Sequence, residues 1–206
     1  MLRRYGMIAI SLAFSLLLAP LLATFASAEL ACSLGGNSYY DPNSDRKATP
    51  DALRIAHNVA NVLCGSPCNI ALIRNPTAGN VATFISPNGA AKVVYNPQFL
   101  KSVDTTIGDG AIFGLFAHEV GHVIDGRLNV PWMPRSWDRE LRADAWAGCA
   151  LARAALPEDK TTAALRAILG YPPPAHPARN LRFPALELGY QSCGGTGNLP
   201  RQKTDW

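Results

Sequence analysis

Residues 111–126, Ala111 to Gly126, read AIFGLFAHEVGHVIDG. Within them His118-Glu119-Val120-Gly121-His122 forms the pattern H-E-x-x-H. On an α-helix, residues four apart share a face, so His118 and His122 project side by side, and two imidazoles so placed can hold one zinc ion. Glu119 sits about 100° further round the helix. From there it reaches a water in the metal's open position and can act as general base. Ile112, Phe113, Phe116, Val120, Val123 and Ile124 give this segment a broad apolar surface that would seat it in a core. Gly126 suits a C-terminal cap, and Gly121 leaves room for a backbone or a substrate near the metal. The chain has only four histidines in 206 residues. Two of them at this spacing around a glutamate favour a site over a buried helix that carries histidines by chance.

A catalytic zinc normally takes three protein ligands and leaves a fourth position for water. Glu140 is the reading for the third. It opens Glu140-Leu141-Arg142-Ala143-Asp144, in which four-residue spacing puts Glu140 and Asp144 on one helical face. Glu140 would coordinate the metal. Asp144 would accept the free ring N–H of a histidine ligand, His118 by expectation, and so fix its tautomer and orientation. An acidic pair flanked by Arg139 and Arg142 is often just a solvated face. Here it follows the H-E-x-x-H segment after one connection, in a helix otherwise rich in Ala and Trp. Asp125 and Asp138 are rival ligands. Asp125, three residues after His122, is better placed to support a ligand than to bind the metal.

The two motifs together, H-E-x-G-H and then E-L-x-A-D-x-x-A-G (Glu140 to Gly148), resemble the gluzincin metallopeptidases. The likeness is nearest to the bacterial neutral zinc metallopeptidases and to the CAAX-prenyl-protease and HtpX-like branch. His176-Pro177-Ala178-Arg179-Asn180-Leu181-Arg182 resembles a further element of those relatives, a His-Pro followed by an Arg and a short helix. That resemblance implies that His176 and Arg182 face the cleft and steady the transition state. Asn80-Val81-Ala82, leading through Gly89 to Val94-Tyr95, is similar to a cleft-edge strand that binds substrate backbone. The likeness touches most of Asn80 to Cys193, and its first two motifs are the specific ones. It implies a minimal zincin-like fold and a zinc-dependent endopeptidase, with Zn2+ on His118, His122 and Glu140, Glu119 as base, and a peptide or protein as substrate. No transmembrane segment accompanies the site, so a membrane-embedded substrate is not expected. The alternative is a non-catalytic, disulfide-braced zinc-binding interaction module of the same fold. The intact Glu119 argues against it, since a site that only binds metal has no need of that residue. A hydrolase of non-peptide amides is a third reading.

The start of the chain reads as a targeting segment. Arg3 and Arg4 precede an apolar run from Met7 to Phe25, and Ala26-Ser27-Ala28 fits a signal-peptidase site, giving a signal peptide over 1–28 and a single domain over 29–206. The membrane is then touched only through that segment, if it stays uncleaved, and the mature protein is exported, periplasmic or secreted. Removing Arg3 and Arg4 leaves 17 Lys and Arg against 15 Asp and Glu, which gives no electrostatic case for nucleic acid. Export implies an oxidising compartment, so disulfides are expected among Cys32, Cys64, Cys68, Cys149 and Cys193. One bridge is read as Cys149–Cys193, and a second takes two of the other three cysteines, with one thiol left over.

The remaining pattern gives an α+β fold, mostly helical. Residues 29–48 read as an extended arm. Thr49-Pro50 opens a helix bearing Ile55, Val59, Val62 and Leu63, with His57 off that stripe and at the surface. The short apolar runs 70–73, 81–85 and 91–95 are punctuated by Asn-Pro and Pro-Asn-Gly. They read as a small antiparallel sheet beside the H-E-x-x-H helix. A helical turn follows at 99–103. Ser136 is placed to cap a second long helix over 139–156. A short helix is expected at 163–169, a proline loop at 171–177, a last helix at 183–193, and a loose tail from Gly194.

Overall fold

Three of the α-helices begin where a side-chain oxygen meets orphan backbone N–H groups. In the computed structural model, Thr49 accepts from Ala52 N–H and starts α1 (Pro50–Cys64), with proline in its first turn. Asn96 accepts from Gln98 and Phe99 and starts α2 (Pro97–Ile107), which is longer than the turn expected at 99–103. Asp138, not Ser136, accepts from Leu141 N–H at 2.9 Å and starts α4 (Arg139–Ala154). The other elements are β1 (Glu29–Ser33), a 3-10 turn (Pro42–Ser44), β2 (Arg46–Lys47), β3 (Ile70–Arg74), β4 (Val81–Ile85), β5 (Ala91–Tyr95), α3 (Ala111–Asp125), α5 (Glu158–Leu169) and α6 (Arg179–Ser192), giving an α+β fold. The structure describes residues 29–33, 40–65, 68–171 and 176–200. The expected signal segment and the middle of the expected proline loop lie outside them.

The sheet is mixed, not antiparallel, and its strand order is β1-β4-β5-β3-β2. β4 pairs antiparallel with β5 and with β1, and β2 pairs antiparallel with β3, but β3 runs parallel to β5. β3 and β4, though consecutive, do not pair as a hairpin. Instead the Asn75–Asn80 connection carries the chain past the place of β5, a step of about 9.6 Å, which six residues span easily. The end of β5 holds that connection, with Asn75 N–H donating to Tyr95 O at 2.9 Å and Asn96 Nδ2 to Ala78 O at 2.6 Å. The expected N-terminal arm likewise contributes two strands, β1 and β2.

Alternation along β4 and β5 splits the apolar side chains between the two sheet faces. Val81, Val93 and Tyr95 join the main core with the helices, while Ala82, Phe84 and Val94 form a smaller cluster on the other face with Ala78, Tyr40 and Ile73. At the centre of the main core is α3, in which every residue but Ile112 and Asp125 is buried. Helices α1, α4 and α5 and strand β4 pack around it. Helix α6 lies against α4 so closely that a Cβ at Gly189 would collide with the backbone of Ala145. It starts at Arg179, earlier than expected, and keeps Pro184 inside it. The Cys149–Cys193 disulfide joins α4 to the end of α6, and Cys64–Cys68 closes the turn after α1, which leaves Cys32 outside both bridges. The tail is not loose throughout, because Leu199 is buried in the main core.

Candidate metal centre

A helix with histidines at 118 and 122 supplies two adjacent imidazoles, but the third ligand depends on how close α4 can come. Gly121 decides this. A Cβ there would lie 2.8 Å from Ala143 O and 3.0 Å from Trp146 Cβ, so only glycine lets the two helices cross at this distance. The backbone that approaches Gly121 is therefore that of α4, and it brings Glu140 onto the histidine face. His118 Nε2 and His122 Nε2 are 3.2 Å apart. Glu140 Oε2 lies 3.2 Å from His118 Nε2, and Glu140 Oε1 3.6 Å from His122 Nε2. A four-coordinate ion with bonds of about 2.0–2.1 Å needs ligand atoms about 3.3 Å apart. The three donors form such a face, and His118, His122 and Glu140 could hold a metal ion.

Behind the ligands, His118 Nδ1 pairs with Asp144 Oδ1 at 2.9 Å. This is the expected support for the first histidine, and it leaves Nε2 directed at the other ligands. Asp144 is itself gripped by Arg182, Nε to Oδ2 at 2.7 Å and Nη2 to Oδ1 at 2.8 Å. Burial alone would lower His118, but its hydrogen bonds to Asp144 and Glu140 outweigh that and push it up to about 9. Burial pushes His122 down to about 4, against the pull of Glu140. Burial would raise Glu140, yet the bonds from His118, His122 and His176 hold its carboxyl well below the ordinary range. For Asp144, too, burial is outweighed, first by the charge of Arg182 and then by His118, and its carboxyl is held down.

Glu119 is fully buried, and its two oxygens differ. Oε2 accepts from Thr83 Oγ1 at 2.6 Å, and the same hydroxyl lies 3.0 Å from the Glu119 main-chain oxygen. Oε1 is buried with no hydrogen-bond partner among the described residues. Burial pushes the carboxyl up to about 8, against the hydrogen bond from Thr83 and the charge of His118. Burial and the charge of Glu119 push the Tyr171 phenol up to about 12, so it remains an O–H donor at neutral pH.

The structure brings together His118, Glu119, His122, Glu140, Asp144 and His176, but it places Arg182 elsewhere than expected. His176 is buried, with Nε2 3.1 Å from Glu140 Oε2 and its ring 5.7 Å from that of His118. Arg182 is 1% exposed and lies behind Asp144, not in a cleft. Neither rival joins the group of His118, His122 and Glu140. Asp125 holds Arg142 Nε at 2.8 Å, and Asp138 caps α4. His57 is exposed, as expected. Thr83 and Tyr171 were not singled out from the sequence. For Thr83 a signal existed, a lone hydroxyl in the apolar run 81–85, whose burial demands a partner. Tyr171 gave none, since its place depends on how the chain returns from α5.

Comparisons with protein-family profiles, with curated proteins and with solved structures found no match to this chain.

Proposed function

We propose that the protein is an exported zinc metallopeptidase of the gluzincin type, with a zincin-like fold. The observation that carries this reading is the convergence of His118, His122 and Glu140 beside a buried Glu119 whose Oε1 has no hydrogen-bond partner among the described residues. An imidazole pair with one carboxylate is a donor set suited to zinc. Bound there, zinc would supply Lewis acidity towards a peptide carbonyl and its water, and its charge would favour the carboxylate form of Glu119. Thr83 holds Oε2 in place and leaves Oε1 to accept the proton of the attacking water and then pass it to the leaving amine. His176, beside Glu140, is our candidate for the donor to the developing oxyanion. Two disulfides fit an oxidising compartment, and no described helix is long and apolar enough to cross a membrane. Export itself rests on the reading of residues 1–28.

The test is metal analysis of the purified chain alongside hydrolysis of a peptide library with and without chelator. About one zinc per chain and chelator-sensitive cleavage are expected. Glu119→Gln should keep the zinc and the fold and lose about 10²–10⁴-fold in rate. A folded, metal-free preparation would overturn the metal assignment. Full activity in Glu119→Gln would overturn the role of the base and return the chain to the reading of a non-catalytic module.

A further inference from the structure

Arg182 is a buried cation, 1% exposed. Nε and Nη2 meet both oxygens of Asp144, and Nη1 donates to Ile168 O at 2.8 Å and lies 3.5 Å from Tyr171 O. Asp144 and His118 are each fully buried. Asp144 Oδ1 is shared, meeting His118 Nδ1 at 2.9 Å and Arg182 Nη2 at 2.8 Å. The result is a continuous row of partners from α6 through α4 to α3, ending at a ligand atom, His118 Nε2. Helix α6 cannot drift from α4, because Gly189 lies against Ala145 and Cys149 is bonded to Cys193.

We infer that Arg182 is a positioning residue of the metal centre: it fixes the plane of Asp144, and through Asp144 it fixes the ring and tautomer of His118, and it does not act on charge in a cleft. The physical reason is twofold. A guanidinium fork holds both carboxylate oxygens in one plane, so Asp144 cannot rotate away from Nδ1–H. It also balances a carboxylate that would otherwise be buried without a cation, which a protein interior tolerates poorly. Were Asp144 to turn, His118 could carry its proton on Nε2 and lose the lone pair that faces Glu140 and His122.

This inference rests on the metal-centre reading, and zinc stoichiometry of the unaltered chain separates the two. If the unaltered chain takes up no zinc, both are overturned. If it does, the zinc dissociation constant is measured by competition with a chromophoric chelator for the unaltered chain, Arg182→Lys, Asp144→Asn and the double variant. Thermal melts are run in parallel. Lysine keeps a charge but not the fork. Arg182→Lys is expected to weaken zinc about 10–100-fold, in the range typical of lost support behind a metal ligand. In the Asp144→Asn background the same change should cost little more, because its target has already gone. Additive losses in the double variant would show that Arg182 acts on the fold at large and would overturn the proposal. Unchanged zinc affinity with lost hydrolysis would also overturn it and return Arg182 to the cleft. Should the variants not fold, the unaltered chain still decides. Its Arg182 side-chain N–H resonances should exchange slowly and shift when zinc is added, and fast exchange with no response to zinc would overturn the inference.

Discussion

Glu119 Oε2 takes a 2.6 Å hydrogen bond from Thr83, while Oε1 meets no partner among the described residues. That asymmetry makes the roles of the two oxygens separable. A hydrogen bond to a charged group contributes about 1.5–3 kcal/mol, and Thr83→Val removes it with little change of shape. Burial raises the Glu119 carboxyl to about 8 even with this bond acting to lower it, so the bond's loss raises the carboxyl further. A base works only in its ionised form. The acid limb of kcat/KM for Thr83→Val should therefore move to higher pH, and activity on that limb should fall about 10–100-fold. Zinc content should not change, because the hydrogen bonds described for the Thr83 hydroxyl both go to Glu119. A pH–rate profile laid over that of the unaltered chain checks this, and coincident profiles would remove Thr83 from the mechanism.

The site is assembled by two helices that cross at Gly121. A methyl group there would press on the backbone of Ala143, which cannot turn aside as a side-chain tip can. Gly121→Ala should push α4 outward and carry Glu140 away from His118 and His122. Overpacking of this kind costs about 1–3 kcal/mol of stability. The more telling readout is the zinc dissociation constant, which should rise about tenfold or more, because support around metal ligands commonly governs affinity on that scale. Unaltered zinc affinity and melting temperature together would show that the crossing tolerates a Cβ and that Gly121 does not place the third ligand. The helices were largely legible from their apolar spacing and caps. Boundaries moved where two cap residues competed. Ser136 yielded to Asp138 because residues 134–137 close a turn of their own, with Trp137 N–H donating to Pro134 O at 3.2 Å.

At the scale of the molecule, two disulfides brace the chain at separations of 4 and 44 residues. On a chain-entropy estimate, closing the longer loop contributes about 4 kcal/mol and the shorter about 2. The paired change Cys149→Ala with Cys193→Ala should therefore lower the melting temperature more than Cys64→Ala with Cys68→Ala. It should also loosen α6, which carries Arg182. Thiol titration of the denatured, unreduced chain should find about one free thiol, that of Cys32. Five titratable thiols in protein taken from its native compartment would refute the bridges and the oxidising environment they fit.

The sequence by itself determined the local part of the candidate site. His118, Glu119 and His122 follow from helical periodicity, and the pairing of Glu140 with Asp144 follows from the same spacing one helix later. Short-range rules suffice there, because one turn of a helix fixes which side chains are neighbours. The Cys149–Cys193 bridge was also read correctly. Only the tertiary structure decided how distant segments meet. It decided that β3 runs parallel to β5, that Thr83 reaches across from the sheet to Glu119, and that Arg182 lies behind Asp144. These contacts join residues 36 and 38 positions apart or cross a sheet. No periodicity encodes them, and they are selected only when the whole core packs and each buried polar group must find its partner.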